Sequence, residues 1–127
     1  MNAADALLRA ASEALADVGG LTGVHEGRPV QAAHPYASVD TGVERDWSHK
    51  SGIGRELNLL LTLRDKGERS ARLRGLLAAA EAAVEGLGGA LDGWRLIGLH
   101  FLRGQVRAGA DGEWTALSEY RARLLKL

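Results

Sequence analysis

The sequence contains no cysteine, only two prolines, and few aromatic side chains, which make up 5% of its residues. The absence of cysteine excludes disulfide bonds, thiolate metal ligands and a cysteine nucleophile. No apolar run approaches the roughly 20 residues of a membrane-spanning helix, so we expect no membrane partner. An excess of one charge is missing too, because 16 basic residues balance 16 acidic ones. The composition therefore does not support tight nucleic-acid binding, which usually needs a basic excess.

The 127 residues fit one domain covering residues 1–127. A chain of this size buries about two-thirds of its unfolded surface, so it needs no metal or disulfide to hold a core. None of the four histidines forms a pair with the spacing of a helical metal site, and no carboxylate cluster completes a ligand set. We therefore expect neither a metal nor a cofactor.

Two amphipathic helices are predicted. Apolar side chains recur at helical spacing in residues 3–18, where Asn2 is placed to cap the first turn. Residues 70–87 repeat the pattern with Ser70 as the N-cap. A glycine pair follows each stretch and is expected to end the helix.

The clearest strand signal lies in residues 57–63. Leucine occupies every second position there, at Leu57, Leu59, Leu61 and Leu63, so these side chains are expected on the buried face of a sheet.

Further strands are predicted at residues 36–44 and 93–107, with a short strand around residues 21–25 as an alternative to a loop. In residues 113–125 helical propensity competes with pairing across the Asp111-Gly112 turn, and we favour a strand. The predicted fold class is α+β: an antiparallel sheet of about four to five strands packed with two helices. The predicted order is helix, strands, helix, strand, strand.

A long polar connection, residues 43–54, separates two of the strands, and we call it the arm. It exceeds the about 2–5 residues usual in hairpins, and it carries both signs of charge and one tryptophan. An exposed Trp47 among polar groups is typical of an interface anchor, and its folding back onto its own sheet is the alternative. The predicted interface with another subunit or a partner protein comprises Glu44, Arg45, Asp46, Trp47, Ser48, His49 and Lys50.

Two other function classes compete. A small hydrolase would use Asp46, Ser48 and His49, but neighbours in one loop rarely meet the geometry of serine catalysis, and no G-x-S-x-G turn occurs. We therefore predict no catalytic residues.

A nucleic-acid-binding module would use Arg69, Arg72 and Arg74 at the start of the second helix. A solvated helix face is the favoured interpretation of this cluster.

Short motifs follow a set order along nearly the whole chain. Pro35-Tyr36 precedes a strand, Asp46-Trp47-Ser48 lies in the arm, and Trp114 lies in the closing hairpin. This combination resembles the tail completion, or tail terminator, proteins of siphophages and gene transfer agents. The loop at residues 21–34 departs from the pattern.

The resemblance implies a structural protein without catalytic residues. In that family the subunits form a ring, usually a hexamer, at the head-proximal end of the tail tube. The ring stops tube polymerisation and joins the tail to the head connector, while DNA passes through its channel without specific binding.

The implied partners are further copies of the chain, the major tail tube protein and the head–tail connector or stopper protein. The implied location is the neck or tail of a virion or gene-transfer-agent particle, made in a bacterial cytoplasm. A head–tail connector or stopper protein of the same neck region is the alternative function, and a small hydrolase is a distant one.

Overall fold

The computed structural model describes all 127 residues. Its elements in chain order are α1 (Ala3–Ala16), β1 (Val24–Glu26), β2 (Tyr36–Asp46), β3 (Gly54–Lys66), α2 (Ala71–Glu85), β4 (Gly89–Leu91), β5 (Trp94–Ala108), a 3-10 turn (Ala110–Gly112) and β6 (Glu113–Lys126). Neither helix is both long and apolar enough to cross a membrane.

The six strands form one curled sheet in the order β1-β2-β3-β6-β5-β4. β1 runs parallel to β2, and every other neighbouring pair is antiparallel. The α+β class is confirmed, but the predicted antiparallel sheet of four to five strands is corrected to a mixed sheet of six. A three-residue strand such as β4 is too short to show alternating hydrophobicity, so it was not predicted. The alternation of apolar residues also does not indicate whether two strands run parallel or antiparallel.

The core lies between the sheet and the two helices. Leu57, Leu59, Leu61 and Leu63 of β3 are all fully buried, which confirms the predicted face. β6 is a strand as predicted, and its buried residues, among them Tyr120, lie on the same face as these leucines. The helices cover this face with apolar side chains such as Leu7 of α1 and Leu73 of α2.

Of the predicted helix ends, only the N-terminal cap of α1 agrees with the structure. The Asn2 side chain accepts a hydrogen bond from the backbone N–H of Asp5 at 2.8 Å, so the predicted cap is confirmed. Ser70 precedes α2, but its side chain makes no capping bond. Neither helix reaches the glycine pair that was predicted to end it, because α1 ends at Ala16 with Asp17 as its C-cap and α2 ends at Glu85 with Gly86 as its C-cap.

Strand β5 is interrupted by two bulges, between Leu96 and Gly98 and between Phe101 and Arg103. The helix-facing residues of β5 are therefore not at every second position. Leu99 pairs with Ala122, and Phe101 pairs with Tyr120. Ala122 and Tyr120 are both buried. The simple alternation predicted for this strand is broken because each bulge inserts one extra residue.

Candidate assembly surfaces

The arm is shorter and more regular than predicted. Strand β2 continues to Asp46 and β3 begins at Gly54, so only residues 47–53 lie outside the strands. A single bridge joins His49 to Gly52 at the tip, and the backbone N–H of Lys126 donates to the carbonyl of Ile53 at 2.8 Å. Most of the arm is thus the end of a β-hairpin, which we call the hairpin tip (residues 44–54).

A bulge explains why the pattern suggested a loop. The register between β2 and β3 shifts between Thr41 and Glu44, so the alternation stops while the strand itself goes on. A sequence reading by periodicity therefore ends the strand too early.

Trp47 packs against its own sheet. Its ring meets the His49 ring edge-on at 4.5 Å between centroids, and the Arg123 guanidinium lies 5.3 Å from the tryptophan ring centroid. Its backbone N–H donates to the carbonyl of Gly54 at 2.9 Å. Within one subunit the Trp47 side chain therefore follows the alternative prediction, folding back onto its own sheet. Contact of its remaining exposed surface with a partner stays a prediction.

Asp46 and Ser48 organise the turn. The Ser48 hydroxyl donates to Asp46 Oδ1 at 2.6 Å, and its oxygen accepts the backbone N–H of Gly54 at 3.1 Å. A Cβ at Gly54 would overlap the carbonyl oxygen of Trp47, so this close approach requires glycine. No hydrogen bond joins Ser48 to His49, and the serine serves the turn.

The charged residues of the tip are tied mainly to β3. Glu44 faces Arg55 at 3.6 Å, and Arg45 faces Glu56 at 3.7 Å, whereas Lys50 is exposed and forms no ion pair. The seven predicted interface residues therefore form one contiguous end of the sheet rather than a free arm.

Glu56 joins this tip to β6. The Arg123 Nε donates to Glu56 Oε2 at 2.8 Å. This hydrogen bond, helped by the positive charges of Arg123, Arg121 and Arg45, holds the pKa of Glu56 below its ordinary value. Since Arg123 also lies against Trp47, one arginine links the tip to the last strand.

The arginine cluster at α2 is not a set of three free cations. Arg72 makes a two-point contact with the buried carboxylate of Asp65, at 2.8 Å from Nε and 2.6 Å from Nη2. The hydrogen bond from Arg72 lowers the pKa of Asp65. Arg74 Nε donates to the Ser70 hydroxyl at 3.0 Å. These bonds favour a structural role for Arg72 and Arg74, which the solvated-face interpretation did not include.

The histidines and carboxylates do not converge on a metal site. No group of three or more histidine, aspartate or glutamate side chains is placed to hold a metal ion. His34 Nε2 meets Glu113 Oε2 at 3.1 Å, and His25 packs edge-on against Tyr36.

Two strand edges are unpaired, and neither was predicted from the sequence. Strand β4 covers β5 only at residues 94–96, which leaves residues 97–108 without a partner on that side. Strand β1 covers β2 only at residues 37–39, which leaves residues 40–46 open. No backbone hydrogen bond from another element fills either gap. The length of β5 was predicted, but the three-residue strand β4 beside it was not, so the open edge could not be recognised from the sequence.

Comparison with known proteins agrees with the fold and with the absence of a catalytic site. A family model described as tail completion protein gp17 matches residues 4–125. A chain of the solved structure "Virion of native gene transfer agent (GTA) particle" has 26% sequence identity and a TM-score of 0.74 over 98% of this chain and 99% of that chain. No curated protein matches.

The match of the family model bears on function directly. It confirms the expectation of a non-enzymatic structural protein of a phage-like tail. Because the model covers nearly all of the sequence, the chain belongs to the tail completion protein gp17 family.

Proposed function

We propose that this protein forms a hexameric ring on the head-proximal end of a phage-like tail tube. The ring stops polymerisation of the tube, gives the head–tail connector a surface to dock on, and leaves a channel for DNA. The observation that carries the proposal is the family match over residues 4–125, together with a fold similar over 99% of a gene transfer agent virion chain.

The charge balance supports a channel that lets DNA slide. The 16 basic and 16 acidic side chains leave no net positive charge to hold the phosphates. A protein that neutralised many phosphates at once would bind DNA strongly and slow its passage. The ring therefore meets DNA without a specific binding site.

The hairpin tip is the proposed contact with a neighbouring subunit or with the tube protein. It is held in place by the Lys126–Ile53 hydrogen bond and by the contact of Arg123 with Trp47, so it presents a fixed surface. A preformed surface loses little conformational entropy on binding. The tip residues Glu44 to Lys50 keep both signs of charge on that surface.

The test replaces residues 47–54 with a two-residue Asn-Gly turn, which suits a tight hairpin. Strands β2 and β3 keep their pairing up to Asp46 and Arg55, so the domain should still fold, as circular dichroism will report. Electron microscopy of particles made with this variant should show overlong or headless tails. Tails of normal length joined to heads would contradict the proposed role of the tip.

A single substitution sharpens the test. Trp47→Ala should weaken the contact by about 2 kcal/mol or more if this side chain is a hot spot. Trp114→Ala is the matched control, because Trp114 is also half-buried but lies at the opposite end of β6. Particle yield should fall for Trp47→Ala and stay near wild type for Trp114→Ala.

A further inference from the structure

The body of the sheet ends in two long strand edges that have no partner. These are the free edge of β5 (residues 97–108) and the free edge of β2 (residues 40–46). An unpaired edge displays a row of backbone N–H and C=O groups and acts as a template for another strand. Soluble proteins usually cover or shorten such edges, so two open edges in one small domain indicate that another strand pairs with them.

The two edges lie on opposite sides of the sheet and at the same height. Asp40 is in register with Leu60, Leu60 with Glu119, and Glu119 with Arg103, so one row of the sheet runs from edge to edge. Asp46 is connected in the same way, through β3 and β6, to Leu96. The open stretch of β2 thus faces away from the sheet at the level of the first half of the open stretch of β5.

The strand directions suit a rotationally repeated pairing. β2, β3, β6 and β5 are antiparallel in turn, so β5 runs antiparallel to β2. Rotation about an axis roughly along the strands preserves each strand's direction. The β5 edge of one copy therefore meets the β2 edge of the next copy as an antiparallel pair, the pairing already used throughout the body of the sheet.

The charges of the two edges are opposite. The free edge of β5 carries two arginines, Arg103 and Arg107, and no acidic residue, although Arg103 also donates to Glu119 within the subunit. The free edge of β2 carries the three acidic residues Asp40, Glu44 and Asp46 against one arginine, Arg45. Complementary charges favour β5 against β2, and like charges disfavour β5 against β5.

Exposed apolar side chains accompany both edges. Phe101 is 52% exposed and Leu102 47% exposed on β5, and Val43 is 63% exposed on β2. These side chains sit at or beside the bulges of the two strands. A partner strand would cover them and remove an aggregation hazard.

We infer that the free edge of β5 joins the free edge of β2 in the next copy, so that the sheet continues from subunit to subunit. This inference rests on the proposed ring and names the surface that closes it. The contact is head-to-tail and uses two different patches of one chain, the arrangement that closes into a ring when the rotation fits. A symmetric β5–β5 dimer is the competing arrangement.

A cysteine scan tests the contact, since the chain has no cysteine of its own. Asp40→Cys is combined in turn with His100→Cys, Arg103→Cys or Gln105→Cys, which lie on the same face of the sheet and are exposed. Within one chain β2 and β5 are three strand spacings apart, about 14 Å. A disulfide spans at most about 7 Å between Cα atoms, so any bond must join two copies.

The control combines Asp40→Cys with Ala79→Cys, an exposed position on α2 away from both edges. Particles are assembled in cells that make only the variant chain, then oxidised and run on non-reducing gels. We expect a ladder of crosslinked oligomers at one β5 position, weaker products at the other two, and only background for the control. The selectivity follows because register fixes which residues face each other.

Two results would overturn the inference. One is particles with normal tails whose three edge pairs crosslink no better than the Ala79→Cys control, which would leave the proposed ring standing with a different interface. The other is an efficient dimer from Arg103→Cys alone, which would indicate β5–β5 pairing. Failure of the proposed function is a separate outcome, recognised by normal particles in cells that lack the protein.

Discussion

Replacing Leu61 with alanine probes the register on which the whole core depends. Leu61 lies on the central strand β3, is fully buried, and is in register with Val39 on one side and Ser118 on the other. Leucine-to-alanine changes at buried sites cost about 2.7–5 kcal/mol, because apolar contact is lost and a cavity remains. Domains are typically stable by about 5–15 kcal/mol, so we expect the change to remove about a fifth or more of the free energy of unfolding.

Leu60→Ala is the matched control. The same atoms are removed one residue away, but Leu60 points to the opposite face and is only half-buried, in register with Asp40 and Glu119. Full burial of a leucine contributes about 1.5–3 kcal/mol, so truncation at this half-exposed site should cost about 1 kcal/mol.

Urea unfolding followed by tryptophan fluorescence measures both losses, since the chain has three tryptophans. The free energy of unfolding should fall at least twice as much for Leu61→Ala as for Leu60→Ala, with similar m-values. Equal losses, or a larger loss for Leu60→Ala, would refute the reasoning. That result would mean that β3 pairs one residue out of register, which turns every side chain to the other face.

Three further changes test the turn, the buried ion pair and the buried tyrosine. Gly54→Ala should cost about 1–3 kcal/mol in urea unfolding because its Cβ meets the Trp47 carbonyl, whereas Gly52→Ala, with open space around it, should be nearly neutral. Asp65 has a lowered pKa, so the native state binds fewer protons than the unfolded state and stability falls as pH drops below about 3.8. Asp65→Asn should be less stable at neutral pH, and its melting temperature should change less with pH over this acid range. Tyr120→Phe removes the hydrogen bond that its hydroxyl donates to Glu85 Oε2 at 2.6 Å and should cost about 1–3 kcal/mol in the same unfolding assay. Because burial raises the pKa of Tyr120, wild-type protein should show no tyrosinate absorbance from this residue while it remains folded.

The most regular parts of the fold could be predicted from the sequence. The leucine alternation of β3 survives in the structure because a central strand with one buried face must place every second side chain in the core. The Asn2 cap was predictable because the first turn of a helix leaves backbone N–H groups that a nearby side-chain oxygen satisfies.

The hairpin tip and the register of β5 could not be predicted, because their backbone is irregular. Bulges at residues 41–44 and in β5 shift the register by one residue, so the periodic pattern ends where the strands continue. The predicted long arm became a hairpin tip for this reason. The packing of Trp47 against Arg123 could not be predicted either, because it depends on β3 bringing β2 and β6 together at one end of the sheet.

The open edges follow from strand lengths, which boundary predictions do not resolve. β5 has 15 residues while β4 has three, and this mismatch exposes most of β5. The absence of acidic residues from β5 can be read from the sequence. It indicates a partner only once the structure places the acidic end of β2 on the opposite edge of the sheet.

Tail length in cells that lack the protein tests the proposed role most directly. Tails from a deletion strain and from a strain complemented with wild-type protein should be measured by electron microscopy, with the heads counted in the same images. If the protein terminates the tube as proposed, its loss removes the stop signal, so we expect overlong tubes without heads and their correction on complementation. Tails of normal length joined to heads in the deletion strain would contradict it.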